Sequence, residues 1–168
     1  VFKDVENFVL GNTRTSRDNL RELTVSLDSN FVAGRTRTLS SILMTHGLGE
    51  LFGGNRQGDP ESSRVGSGNE FTKWNAEVYH VRDLGKNRFF LGRFSGQVAS
   101  DPLAVSEQFG LGGPDSVRGY LQSDFLGDNG FSTSLELRQL ILRTKNRKIA
   151  MQAAAFLDHG SATLQLPQ

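Results

Sequence analysis

The stretch Ser106-Glu107-Gln108-Phe109-Gly110-Leu111-Gly112-Gly113-Pro114-Asp115-Ser116-Val117-Arg118-Gly119-Tyr120 lies inside the longest connection of the chain, and the fold turns on what it is. A flexible, glycine-rich surface loop is the plain interpretation, and loops of this length are often that. Against it stand Phe109, Leu111, Val117 and Tyr120, followed by Phe125 and Leu126. A solvated loop does not expose such groups without cause, so the segment is expected to pack against something. Gly112 and Gly113 allow positive φ or close backbone approach. Arg118, set between Val117 and Gly119, presents a planar five-donor fork from a crowded position, and a guanidinium so placed needs a carboxylate.

Outward from this stretch, the dominant period is two. Strand side chains alternate sides. Leu23, Val25, Leu27 and Phe31 therefore share one face, with Thr24, Ser26, Asp28 and Asn30 on the other. Phe131, Thr133, Leu135, Leu137 and Ile141 oppose Ser132, Ser134, Glu136 and Arg138. In Arg88 to Ala99, Phe90, Gly92, Phe94, Gly96 and Val98 oppose Arg93, Ser95 and Gln97. Trp74, Ala76 and Val78 oppose Lys73, Asn75 and Glu77 within Glu70 to Arg82. Thr36 to Gly47 is a weaker case, with Leu39 and Leu43 on one side and Ser40 on the other. From Lys148 to Gly160, Met151, Ala153, Ala155 and Leu157 alternate with Gln152, Ala154, Phe156 and Asp158, and Val1 to Leu10 is expected to be a seventh, partial strand. No window carries a capped helical stripe.

Short and long connections alternate between these strands. Gly85-Lys86-Asn87 and Thr144-Lys145-Asn146-Arg147 read as tight turns, whereas Leu51 to Asn69 and Ser100 to Gly130 are long and rich in Gly, Ser and Asp. That alternation fits an antiparallel transmembrane β-barrel, whose strands need only about 9 to 11 residues to cross a bilayer. A soluble antiparallel sandwich also alternates. Strands of ten or more residues favour the membrane.

Composition is compatible with either. The 168 residues are 36% hydrophobic with 19 glycines, and 19 Lys+Arg against 18 Asp+Glu leave a net charge of +1. Disorder is thereby disfavoured, and the overall charge gives no general reason to expect nucleic acid or an anionic membrane surface as partner. The absence of cysteine excludes a disulfide framework and thiol catalysis. No run approaches the roughly 18 apolar residues of a membrane helix, which says nothing of strands.

With the strands placed, Gly112-Gly113-x-x-Ser116-Val117-Arg118-Gly119-Tyr120 resembles the signature of the long lumenal loop in the BamA and two-partner-secretion superfamily of outer-membrane barrels. Pro102-Leu103, Ser106-Glu107-Gln108-Phe109, Gly127-Asp128-Asn129-Gly130 and Ser134-Leu135-Glu136-Leu137-Arg138 are most similar to the two-partner-secretion (TpsB) transporters of the ShlB, FhaC and HecB type. A second family motif, Phe-x-Asp-x-Gly, is matched by Phe156, Asp158 and Gly160. The likeness is close over Gln97 to Ala162, and by pattern alone before it.

The resemblance implies one domain over 1–168, a partial barrel of about six or seven strands. Its loop, about 100–130, would fold into the lumen so that Arg118 pairs with Asp158 on the inner wall as a latch. Phe156 would pack against the arriving loop and Gly160 would leave space for it. The plain alternative for Asp158 is a lumen carboxylate in a cross-strand pair. The implied function is a translocator in the bacterial outer membrane that exports an unfolded hemolysin- or adhesin-type exoprotein without ATP. Its implied partners are a TpsA-type protein, outer-membrane lipid and lipopolysaccharide, and the barrel assembly machinery. A BamA-like insertase is the alternative within the superfamily, and a soluble β-sheet binding module the alternative outside it. The POTRA domains, the signal peptide and further strands of such a protein are not in this sequence.

No cofactor, metal or catalytic role is expected. His46, His80 and His159 are dispersed, without a His-x-x-x-His pair or a Gly-x-Ser-x-Gly elbow. Asp158 and His159, neighbours in a strand, point to opposite faces and cannot form a dyad. Asp124 to Gly130 lacks the spacing of an EF-hand loop.

Overall fold

The computed structural model describes residues 1–9, 13–143 and 150–166. Among these residues nine strands follow in chain order: β1 Phe2–Val9, β2 Thr13–Ala33, β3 Thr36–Gly47, β4 Thr72–Gly85, β5 Arg88–Ala99, β6 Phe109–Leu111, β7 Phe125–Gly127, β8 Asn129–Arg143 and β9 Ala150–Thr163. Seven of them form one antiparallel sheet in the order β1-β2-β3-β4-β5-β8-β9, and β6 pairs with β7 as a separate two-stranded ribbon. The sheet is an open meander, part of a barrel wall rather than a closed one.

Register decides which side chains share a face. Trp74 lies opposite Val98, Ala76 opposite Gly96 and Val78 opposite Phe94, while Gly96 lies opposite Phe131, and Phe90 opposite Leu137. The apolar residues of neighbouring strands thus form one continuous outward face. Leu27, Val98 and Leu157 on it are 71%, 64% and 69% exposed. On the opposite face Glu22, Thr45, Lys73, Gln97, Ser132 and Glu136 are buried. A water-soluble sheet hides its apolar face. This one does the reverse, as a strand wall between lipid and a polar lumen must.

Leu39 and Leu43 share one side of β3 with Ser40 on the other, as the alternation predicts, but that side is not the outward one. They pair with Tyr79 and Asn75, on the polar face, whereas Ile42 and Met44, opposite Ala76 and Trp74, supply the outward apolar side. β3 carries apolar groups on both faces, so its own pattern has no sign, and only the register with β4 gives it one.

The turn at Lys86-Asn87 has both φ angles positive, 51° and 60°, the left-handed pair that a tight hairpin with the native strand twist demands. Gly34-Arg35 joins β2 to β3 at the same end of the sheet, a turn that the sequence pattern did not mark. The expected turn at 144–147 lies outside the described residues. The long connections 48–71 and 100–128 leave from the opposite end, and the small apolar core is there: Phe71, Ala99 and Leu103 form one buried cluster.

Candidate functional site: the loop latch and its feet

The long connection is not irregular throughout. β6 and β7 pair Phe109 with Gly127 and Leu111 with Phe125, and this ribbon lies against β8 and β9 on the polar face of the sheet. Glycines in the wall let it approach closely. A Cβ on Gly130 would come within 2.6 Å of the Phe109 ring, and one on Gly160 within 2.5 Å of a Leu111 methyl and 3.2 Å of a Val117 methyl. Phe109 and Leu111 are accordingly buried. Tyr120 and Phe125, which stack edge to face with centroids 5.7 Å apart, remain 55% and 51% exposed. The loop packs against the wall, as its apolar content requires, along the side that meets the wall glycines, while Tyr120 and Phe125 stay open.

Gly112, Gly113 and Gly119 take φ of 112°, 98° and 100°, a region other residues enter only with strain. Their kinks, with Ser116 Oγ accepting from the Gly112 N–H at 3.3 Å, aim the tip at β8 and β9. There the Arg118 fork meets Asp158 in two parallel bonds, Nε to Oδ2 at 2.7 Å and Nη2 to Oδ1 at 2.7 Å. The Arg118 backbone N–H adds a third bond to Oδ2 at 3.1 Å. Nη1 reaches Glu136 Oε2 at 2.7 Å, and Nη2 also reaches Ser134 Oγ at 2.9 Å. Beneath the fork lies the Phe156 ring, 3.6 Å from Cζ to centroid. Ser134 and Asp158 are register partners, as are Glu136 and Phe156, so two adjacent strands build the receptor for one guanidinium.

The pair is well shielded, with the Asp158 side chain 4% exposed and that of Arg118 26%. Bidentate charge-assisted pairing of this kind is among the stronger polar contacts. At an effective dielectric near 20 the Coulomb attraction at about 4 Å is about 4 kcal/mol, reduced by the cost of removing both groups from water. Glu136 is held in turn by Arg138, and Arg93 holds Asp115 of the loop at 3.0 Å.

Two further carboxylates hold the feet of the loop. Glu107 bonds Lys73 Nζ at 2.6 Å and Lys3 Nζ at 2.7 Å, and Lys3 also reaches Glu22 at 3.1 Å. Burial pushes the Glu107 carboxyl up, but the two ammonium groups outweigh it and hold it below the usual range. At the exit, Asp128 receives the Arg64 guanidinium, at 2.5 Å and 2.7 Å, and the backbone N–H groups of Leu103 and Gln165 at 2.9 Å and 2.6 Å. Its side chain is fully buried. Burial raises its carboxyl, and the donors from Arg64, Gln165 and Leu103 bring it down below the ordinary value.

The two motifs imply a pairing of Arg118 with Asp158, with Phe156 and Gly160 beside them, and the structure brings Asp158, Phe156 and Gly160 of the wall against Arg118 and its loop. Sequence reasoning assigned no role to Glu136, Glu107 or Asp128, although all three stand in the motif segments that carry the resemblance. The partners of Glu107 and Asp128 are far away in sequence, Lys73 by 34 residues and Arg64 by 64, so no local spacing reveals them, whereas Glu136 has Arg138 two residues on. The signal present in the sequence is two acids, Glu107 and Asp128, flanking a glycine-rich insert. His159 lies on the outward face beside Phe131, with ring centroids 5.6 Å apart. Among the described residues no group of three or more His, Cys, Asp or Glu is placed to hold a metal ion.

The family model of the haemolysin secretion/activation proteins ShlB/FhaC/HecB matches residues 2–167. Among solved structures, CdiB from Escherichia coli is similar with a TM-score of 0.69 and 26% sequence identity, over 87% of this chain and 26% of that one. The chain thus spans about a quarter of the length of that protein. Comparison with curated protein sequences finds no match.

Proposed function

The chain belongs to the haemolysin secretion/activation protein family ShlB/FhaC/HecB, outer-membrane β-barrel proteins, and on that footing we propose that it supplies wall and lumenal gate to a two-partner-secretion translocator. The cargo is an unfolded exoprotein of hemolysin or adhesin type, which passes outward through the lumen without ATP and without a chemical step. The observation that carries this reading is the Arg118 fork, held by Asp158 and Glu136 from two neighbouring wall strands. A loop fixed to the wall by one shielded cation obstructs the space an extended chain must use, and its tip is freed chiefly by breaking the contacts of that one side chain, the Arg93–Asp115 pair being exposed.

The test is a charge swap in the complete transporter. Arg118→Ala and Asp158→Ala are each expected to impair secretion and alter channel conductance, and the exchanged pair Arg118→Asp with Asp158→Arg to recover part of the loss. If both alanine variants secrete and conduct as the parent does, the gate proposal fails.

A further inference from the structure

A net charge of +1 conceals a strong segregation along the strands. The two long connections, 48–71 and 100–128, carry nine carboxylates against three arginines. At the other end, the short turns and the strand ends beside them carry Arg35, Arg82, Lys86 and Arg88, all exposed. The nearest acid, Asp83, is committed to its own turn, accepting from the Gly85 N–H at 2.7 Å. Among the described residues none of the four cations has a carboxylate partner.

The turns that carry them form one patch. The Asp83 N–H donates to the Arg35 carbonyl at 2.9 Å, and the Arg35 guanidinium lies against Gly85. Arg82 sits opposite Phe90 and Arg88 opposite Gln139. Alternation therefore puts both on the outward, apolar face with Val78, Phe94 and Leu137. They are turned away from the lumen, and a passing chain inside the pore does not meet them.

An arginine on the lipid face is tolerated only near the interface, so Arg82 and Arg88 mark where the hydrocarbon ends and headgroups begin. Short turns lie on the periplasmic side of such barrels, and the leaflet at that height is the inner one. A guanidinium fork matches a phosphate in geometry as well as charge. We infer that Arg35, Arg82, Lys86 and Arg88 form a collar that binds anionic phospholipid headgroups of the inner leaflet of the outer membrane. The carboxylate-rich opposite end offers no equivalent, so the collar also gives the barrel a preferred polarity in an asymmetric membrane.

The experiment reconstitutes the complete transporter in phosphatidylcholine vesicles containing spin-labelled phosphatidylglycerol or spin-labelled phosphatidylcholine, and measures the relative affinity of each for the protein surface. The parent is expected to prefer phosphatidylglycerol, with the preference falling in salt. In R35Q/R82Q/K86Q/R88Q it should drop by roughly tenfold or more. The pairs R82Q/R88Q and R35Q/K86Q should each give part of that loss, which keeps the test decisive if the fourfold variant does not fold. R14Q/R17Q/R56Q, at the opposite end, should leave the preference unchanged. Equal affinity for the two lipids in the parent overturns the proposal, as does an equal loss in the opposite-end variant. Inorganic phosphate abolishing the preference at a concentration where chloride of equal ionic strength does not would assign the site to free phosphate and overturn it too. A fourfold variant that keeps its lipid preference but secretes poorly would assign the cations to the cargo instead.

Discussion

At its tip the lumenal loop is held chiefly by Arg118, shared between carboxylates on two neighbouring strands, with an exposed second pair between Arg93 and Asp115. At its feet it is held by two carboxylates, Glu107 and Asp128, each surrounded by donors from several segments. Both holds are ionic, but their construction differs. The Asp128 carboxylate accepts backbone N–H groups from both the loop and the chain after β9, so releasing it orphans main-chain donors as well as a guanidinium. The tip hangs mainly on one side chain, which can leave as a unit. The difference teaches that the number of separate chain segments supplying the donors, rather than burial or the presence of a salt bridge, separates an anchor from a latch.

The sharpest attempt to break that comparison is Asp128→Ala. It leaves the Arg64 charge and the Leu103 and Gln165 N–H groups unpaired, and should cost about 3–5 kcal/mol, read from the denaturant midpoint of the folded band on a semi-native gel. A loss no larger than that of a surface substitution would dissolve the distinction. The same group sets an acid limit. Its carboxyl is held below its ordinary value, so its contribution is full above that value, near 3.8, and is lost as pH falls through the depressed one. Stability should be flat at neutral pH and fall in acid, and Asp128→Asn should remove that part of the slope.

Next in size is Gly160→Val, which sets new atoms against Leu111 and the Phe131 carbonyl. Overpacking of this order costs about 1–3 kcal/mol. It should lift the ribbon while every charge stays in place, seen as faster cleavage by trypsin after Arg118. Arg118→Lys should be milder, about 1–2 kcal/mol, because it keeps the charge but loses the fork and most of the stacking on Phe156. Its conductance should fall between those of the parent and the alanine variant. Smallest of all is Arg14→Ala. This residue makes exposed pairs with Glu6 and Glu61, and less than about 0.5 kcal/mol is expected from the same denaturant measurement.

The strands were legible because a half-buried strand repeats every two residues, and the span Arg88 to Ala99 coincides with β5. Leu39 and Leu43 were not, because a strand with apolar groups on both faces gets its orientation from its neighbours. Arg118 and Asp158 could be paired from sequence because each sits in a motif of its own. Lys3, Lys73 and Arg64 sit in none, and nothing near them in the chain announces Glu107 or Asp128. The charge balance is silent in a similar way, since a sum over 168 residues does not register where along the strands each sign lies.

β2 runs for 21 residues, but β3 accompanies it only from Glu22 onward. Its first nine residues pair with β1 alone, flanked by the 48–71 connection, whose Asn55 and Glu61 bond the backbone of Asn19 and Arg17. At about 3.4 Å per residue this hairpin is a mast about 30 Å tall. With the short turns on the periplasmic side, as the proposed lipid collar requires, this mast stands toward the outside of the cell, and a tag beside Asn7 or Ser16 is expected to report surface display without touching Arg118 or Asp158.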